Sequence, residues 1–389
     1  MRKQTTIMVI LVVFVFMSSS LCFAKTKEKD IIIGQVKTIN SKVLGEERPF
    51  LVYCPDGYKN TKVKYPVLYL LDGNGHFHYG TGIVSFLSNR GSMPQMIVVG
   101  IPNTDRQRDF TPTKVEKRPN SGGADAFLTF MKEELMPYID QNYRTQPYNI
   151  LFGHSLCGMF SIYSLLNTTD LFNAYIAASP WLVYDDNYVM KQAESLLDKN
   201  FNTKSFLYVT VGDEPEIIPS VKELENLLHN MPTKNVVWQT RFMDDEDHGS
   251  ITFKTIYDGL KTLYGNWRIN QNIYNGGLEA IEKHYKDLSQ QFGYTIDIPE
   301  YVLNLYGYQL LTKEKFPAAI TVLKINAEKY PYSANVYDSL GEAYEKDNQL
   351  KLAAKNYKMA CKLGSETHPY FLDVYKKNLE RVKKKLESR

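Results

Sequence analysis

A series of short runs dominated by apolar residues punctuates the first two-thirds of the chain, each ending in a polar or glycine-bearing loop. Pro66–Leu71, Gln95–Ile101, Ile150–Phe152, Ala174–Ser179, Phe206–Val211 and Val236–Met243 are rich in β-branched and aromatic residues, as strands buried on both faces of a parallel sheet are. Two earlier segments, Ile31–Ile39 and Arg48–Pro55, flank the turn-forming Leu44-Gly45-Glu46-Glu47 and read as an antiparallel opening pair. Helical spacing fills the gaps. Ala124–Asn142 places Phe127, Phe130, Met131, Leu135 and Ile139 on one face, and further helices are predicted around Tyr188–Leu197, Val221–His229 and Ile251–Tyr264. About eight strands, alternating with helices after the second, predict a mostly parallel sheet with helices on both faces. Ligands bind such sheets at the C-terminal ends of the strands. The loops Asp72–His76, Pro102–Pro112, Pro180-Trp181, Gly212–Glu216 and Asp244–Ser250 all fall at that edge.

From about Gly265 the strand pattern stops and helical spacing takes over. Asn304-Leu305-Tyr306-Gly307 and Asp338-Ser339-Leu340-Gly341 lie 34 residues apart, as do Ala319 and Ala353, and Ala327 and Cys361. A period of about 34 residues with small residues at the packing points is that of tetratricopeptide (TPR) helix pairs. Two repeats are legible, joined at Tyr332–Asn335, and Gly276–Phe292 supplies an irregular preceding helix. Free-standing arrays usually need about three repeats, so this region is expected to pack on the sheet domain. Lys383-Lys384-Lys385 reads as a solvated last turn whose cations suit a helix C-terminus.

At 389 residues the chain exceeds one average domain. The expected division is a signal peptide over 1–24, an α/β domain over 25–265 and a TPR-like helical domain over 266–389. The signal peptide follows from Arg2 and Lys3, an apolar run from Ile7 to Met17, and Cys22-Phe23-Ala24 as a small-x-Ala cleavage site. That run is shorter than the roughly 20 residues a spanning helix needs. Export to the periplasm or beyond is therefore expected, and bulky Leu21 argues against lipid anchoring at Cys22. A formal net charge of +3 implies no nucleic-acid partner. Cys54, Cys157 and Cys361 have no close spacing, so neither a metal site nor a disulfide framework is expected and all three read as small apolar residues.

The chemistry centres on Gly153-His154-Ser155-Leu156-Cys157-Gly158, where a buried strand meets a helix beginning near Met159. A serine at a sharp strand-to-helix turn is lifted clear of the sheet, with a helix N-terminus beside the reacting carbonyl. The usual pattern is G-x-S-x-G; Cys157 stands at its second glycine, with Gly158 one place later. An acyl-transfer serine needs a base, an acid that orients the base, and donors for the oxyanion. His248 is the candidate base, whereas His154 should point away from the nucleophile. Asp213, Glu214 and Glu216 compete as the acid, with Glu214 favoured over Asp213. The oxyanion donors are expected from the N–H of Leu156 and from Gly73 or Asn74.

Read together, Tyr69-Leu70-Leu71-Asp72-Gly73, the Asn103–Pro112 loop with Arg106, Arg108, Asp109 and Thr111-Pro112, the Gly153-His154-Ser155 turn, Ser179-Pro180-Trp181 and Asp247-His248-Gly249-Ser250 resemble the Putative esterase family. That family includes enterobactin and ferric-siderophore esterases, esterase D (S-formylglutathione hydrolase) and feruloyl-type esterases. The resemblance covers roughly Ile31 to Tyr264. It implies an α/β-hydrolase fold and a cofactor-free serine esterase, with Ser155 as nucleophile and His248 as base. Arg108 becomes a substrate-binding candidate, against a structural ion pair with Asp109 or Asp105. Trp181 becomes a wall of the acyl pocket, against core packing.

Three functional classes are consistent with these residues. The first is an exported ester hydrolase acting on a siderophore, a feruloyl or acetyl glycan, or a similar small-molecule ester. The second is an inert hydrolase scaffold binding a protein partner through its TPR-like helices. The third is a serine peptidase.

Overall fold

The computed structural model describes residues 30–60, 62–168, 170–196, 204–230, 235–367 and 371–388. The expected signal peptide lies outside them. Strands β1 (Gln35–Ser41) and β2 (Glu46–Tyr53) form the antiparallel opening pair, joined at a turn where Gly45 takes φ 67°. β3 (Tyr65–Leu71) is buried along its whole length, as its unbroken apolar run requires. The segment Asp72–His76, expected as a flexible loop, instead enters helix α1 (Gly73–Asn89) at once. Gly73 permits that abrupt entry, because a Cβ there would meet the Ile101 amide nitrogen at 2.3 Å.

After β4 (Ile97–Ile101), the polar loop contains one short helix, α2 (Arg106–Phe110), capped by the Asp105 carboxylate accepting from the Arg108 N–H. The predicted helix Ala124–Asn142 is present as α3 (Ala124–Phe130) and α4 (Met136–Asn142), continuous through a π turn over Met131–Leu135. β5 (Thr145–His154) and α5 (Leu156–Asn167) meet at Ser155. β6 (Ala174–Ala178), α6 (Tyr184–Leu196), β7 (Ser205–Val211), α7 (Ile218–Asn230), β8 (Val236–Phe242) and α8 (Ile251–Leu263) complete the alternation.

The eight strands form one sheet in the order β1-β2-β4-β3-β5-β6-β7-β8. β4, β3, β5, β6, β7 and β8 pair in parallel, and β2 runs antiparallel to β4. The chain steps from β3 outward to β4 and then returns to the other side of β3 as β5. That reversal opens a crevice at the C-terminal ends of β3 and β5, the location such sheets use for ligands. Each face of the sheet carries its own apolar layer. Phe127, Phe160 and Leu224 lie on one side, and Leu87, Ile256 and Leu260 on the other.

The remaining helices are α9 (Gln271–Asn275), α10 (Gly277–Phe292), α11 (Glu300–Thr312), α12 (Phe316–Lys329), α13 (Ala334–Lys346), α14 (Leu350–Thr367) and α15 (Leu372–Glu387). α11 and α13 begin 34 residues apart, as do α12 and α14. The packing repeats with them. A Cβ on Gly307 would meet the Leu323 side chain at 2.6 Å, and one on Gly341 the Tyr357 side chain at 2.8 Å. These helices share the apolar layer of the α8 face, where Phe292 stacks on Tyr264 with ring centres 4.9 Å apart and meets Tyr148 of β5 edge-on. The expectation that they pack on the sheet domain is met by a continuous core. Among the described residues no helix is long and apolar enough to cross a membrane.

Candidate active site

Ser155 is where the local sequence forces an unusual backbone. It carries φ 59° and ψ −117° between the last residue of β5 and the first of α5. For a side chain with a Cβ that conformation costs about 1–3 kcal/mol, which the surrounding packing must offset. α5 is buried from Leu156 through Leu166, and the Ser155 N–H donates to the Ala178 carbonyl while its own carbonyl accepts from the Trp181 N–H at 3.0 Å. The glycines take complementary parts. A Cβ on Gly153 would lie 2.1 Å from the Cys157 carbonyl oxygen, and one on Gly158 would lie 2.9 Å from the Ala178 carbonyl oxygen. Close approach to the neighbouring strand thus falls on Gly158, one residue past its place in the usual pattern. Cys157 is fully buried, and burial pushes its thiol well up, so it stays a protonated thiol beside Asp72 and Arg106.

β7 ends beside β6, and the turn beyond it holds the acids. Glu214 is 3% exposed and faces inward, whereas Asp213 and Glu216 are exposed. One Glu214 oxygen bonds His248 Nδ1; the other accepts from the Ser179 hydroxyl and, at 3.1 Å, from the Gly212 N–H. Gly212 has no room for a Cβ, which would meet the Glu246 carbonyl oxygen at 2.5 Å. The loop before α8 is wound on Asp247, whose carboxylate accepts the N–H groups of Gly249 and Ser250. That winding presents His248 with its ring half-exposed at the sheet edge. With Nδ1 donating to a carboxylate, Nε2 is left as the free basic nitrogen.

His154 is partly buried beside the candidate base. Its ring lies against that of His248, centres 4.5 Å apart, and its Nε2 is buried without a hydrogen-bond partner among the described residues. Burial pushes its imidazole down to about 4, helped by the neighbouring His248 and His76. His76, on α1, meets His154 edge-on with ring centres 6.1 Å apart and bonds the Tyr79 hydroxyl.

At the turn between β5 and α5, Arg106 forks onto Asp72 at 2.8 and 3.0 Å and donates to the His154 carbonyl at 3.1 Å. Asn103 donates to the same Asp72 carboxylate. Burial acts to raise the Asp72 carboxyl, but the Arg106 guanidinium together with Asn103 and the Cys157 thiol outweighs it and the group sits below its ordinary value. Asp72 itself is left-handed, φ 52°, as the residue before α1. Gly73 and Asn74 are therefore the first two residues of a helix whose opening N–H groups have no acceptor within the helix. Leu156 and Cys157 hold the same positions on α5. The β3–β5 pairing sets both helix starts side by side.

Two expected binding residues are placed differently from the rest. Arg108 pairs through Nε with Asp109 at 2.8 Å, one of the two acids foreseen as its structural partner, while its other two guanidinium nitrogens go to Glu46, which was not foreseen, at 2.6 and 3.0 Å. Its partner Asp109 is fully buried and also takes Arg48 at 2.7 Å. Trp181 is partly buried against the apolar layer of the α5 face. Sequence reasoning did not single out Asp72, His76 or Ser179 for roles here. The one available signal was that Asp72 and Arg106 occur in two loops already assigned to the same sheet edge. Among the described residues no group of three or more His, Cys, Asp or Glu could hold a metal ion.

The family profile described as Putative esterase matches residues 41–251, spanning every strand from β2 to β8. The chain is 36% identical over 160 residues to the ferri-bacillibactin esterase BesA of Bacillus subtilis, an alignment covering 35% of this chain and 55% of that protein. It therefore spans about half the length of that relative. Among solved structures, an IroE-like serine hydrolase from Shewanella oneidensis superposes with a TM-score of 0.66 at 25% identity, covering 76% of this chain and 99% of that one. An uncharacterised protein from Capnocytophaga ochracea gives 0.62 at 19% identity and covers 90% of this chain and 99% of its own, so a similar fold recurs over nearly the whole length. The profile match, over more than half of the sequence and across the strands that carry Ser155, Glu214 and His248 at one edge, places this chain in the Putative esterase family.

Proposed function

We propose that the protein is an exported serine esterase in which Ser155 attacks an ester carbonyl and His248, oriented by Glu214, takes its proton. The observation that carries this reading is the contact between His248 Nδ1 and buried Glu214 on the sheet edge where Ser155 is held at positive φ. In the first half-reaction the Ser155 oxygen bonds the acyl carbon, and the oxyanion is met by the N–H groups of Leu156 and of Gly73 or Asn74. The tetrahedral intermediate then expels the alcohol, which leaves with the proton His248 returns. In the second, His248 takes a proton from water, hydroxide attacks the acyl-enzyme, and the carboxylic acid departs as Ser155 recovers its proton. Asp213 remains outside this chain of contacts in the reading.

For substrate class we infer a siderophore ester, supported by the names of the relatives above; feruloyl and acetyl glycan esters are the competing substrates. The domain division at about residue 265, cleavage of the signal peptide after Ala24 and a TPR-like character of α11–α15 belong to the same reading. The repeated 34-residue offset supports the last of these, and a protein partner for those helices would follow from it.

The test is hydrolysis of p-nitrophenyl acetate together with labelling by a fluorophosphonate probe. Ser155→Ala should abolish both while leaving thermal unfolding unchanged. Label on another residue, or unchanged turnover, would overturn the assignment. A panel of siderophore triesters, feruloylated sugars and acetylated glycans then ranks the substrates by kcat/KM, and a peptide substrate cleaved faster than any ester would move the protein to the peptidases.

A further inference from the structure

We propose a second ligand site, for a small aryl carboxylate, in the cleft between the start of β3, the end of α1 and the segment leading into α11. It is separate from the candidate active site. β3 runs from Tyr65 in the cleft wall to Leu71 at the Ser155 edge, and at about 3.3 Å per residue the two sites lie roughly 20 Å apart on opposite edges of the sheet. The inference does not depend on the esterase reading.

The cleft encloses about 870 Å³, within the roughly 300–1,000 Å³ of small-molecule sites. Its composition selects for a ring. Tyr65, Trp267 and Tyr274 present buried aromatic walls, and the Tyr301 ring, 53% exposed, stands at the mouth. Gly91, at φ 66°, leaves room for that ring, since a Cβ there would come within 3.2 Å of the Tyr301 hydroxyl. Flat aromatic walls of this kind favour an aromatic guest through stacked and edge-on contacts.

Its charge selects for an anion. Lys64, Arg90 and Arg268 lie on the lining, all exposed, and among the described residues none of them forms an ion pair. The one acid on the lining, Asp297, is already matched by Lys329 at 3.0 Å. Arg268 lies on the same lining as Tyr274 and Tyr301, near enough that its charge acts on both phenols. A guanidinium pairs with a carboxylate in a planar fork, and a carboxylate carried on a ring would let one guest use the walls and the rim together.

Isothermal titration of the full chain with 2-naphthoate tests this, with 2-naphthalenemethanol as the uncharged control and cyclohexanecarboxylate as the non-aromatic one. The expected result is saturable one-to-one binding of naphthoate, at least five-fold tighter than either control and weakened by salt, because the rim is exposed. Arg268→Ala and Tyr301→Leu remove exposed side chains, so the fold should hold, and each should weaken binding five-fold or more. Arg268→Lys, which keeps the charge without the fork, should fall between. Ester hydrolysis should be unchanged in these variants, and naphthoate should bind equally to protein whose Ser155 has been blocked by a fluorophosphonate. Equal binding of the controls, binding unaffected by both substitutions, or loss of binding when Ser155 is blocked would overturn the proposal.

Discussion

The imidazole of His154 lies against that of His248, ring centres 4.5 Å apart and inclined by 48°. The residue preceding the candidate nucleophile therefore holds the loop that carries the candidate base. Because burial keeps His154 neutral at ordinary pH, it can back His248 without repelling the imidazolium that forms during turnover. His154→Ala should lower kcat by roughly 10- to 100-fold, as small misplacements of a base do, with KM nearly unchanged. A steady-state series on the best ester substrate checks the split. A rise in KM with kcat intact would assign His154 to substrate binding instead.

Glu214 and Asp213 are adjacent, yet only Glu214 points inward, accepting from His248, Ser179 and the Gly212 N–H. Glu214→Gln keeps the shape but presents His248 with an amide and favours the wrong tautomer. Its kcat should fall by about 10³–10⁴, the loss typical of removing a triad carboxylate. Asp213→Asn, at an exposed position, should stay within about two-fold. Comparable losses in both would mean that the acid has been misassigned.

The contrast between these two residues shows where the sequence was informative. The buried strands were legible because Pro66–Leu71 and Phe206–Val211 are continuous apolar segments too short for a buried helix, rich in β-branched and aromatic residues and bounded by glycine and polar loops. Their order placed Ser155, the acid loop and His248 at one edge. Orientation within a loop was not legible, since it depends on the few backbone bonds that turn Glu214 in and Asp213 out. Arg108 and Arg106 differ for the same reason. They lie two residues apart near the start of α2, so the helix points them in different directions, one toward Glu46 and the other toward the elbow. Asp72–His76 reads as a loop from its two glycines and an asparagine, yet forms the first turn of α1. Helix propensity there is overridden by packing, because only glycine at 73 can pass the β4 backbone.

Stability should depend on pH through His154. Its folded-state value is about 4 against an ordinary 6.5, so between those limits the unfolded chain binds the proton more readily. Stability therefore rises with pH across this window and is lost as pH falls from about 6.5 toward 4. A shift of this size corresponds to at most roughly 3 kcal/mol. Urea unfolding at pH 7 and pH 4.5 should show a larger acid penalty for the wild type than for His154→Asn, which cannot take the proton. Equal penalties in the two proteins would show that His154 does not carry the effect.

Arg106 and Arg108 should separate function from stability. Arg106 ties Asp72 to the His154 carbonyl and so fixes the start of α1, where Gly73 and Asn74 are expected to meet the oxyanion, against the elbow of α5. Arg106→Ala should cost about 10²-fold in kcat, the scale of one oxyanion contact, and Arg106→Lys should rescue it poorly because an ammonium cannot make the paired contact with Asp72. Arg108 holds Glu46, whose carboxyl it draws down to about 2, and shares buried Asp109 with Arg48. Arg108→Ala should destabilise the fold by about 1 kcal/mol, the upper end for a partly exposed ion pair of good geometry, and leave kcat/KM within about three-fold. Thermal midpoints and kinetics on the same preparations check both. If Arg108→Ala instead raised KM steeply with the midpoint unchanged, Arg108 would return to the substrate-binding role that the family resemblance implied.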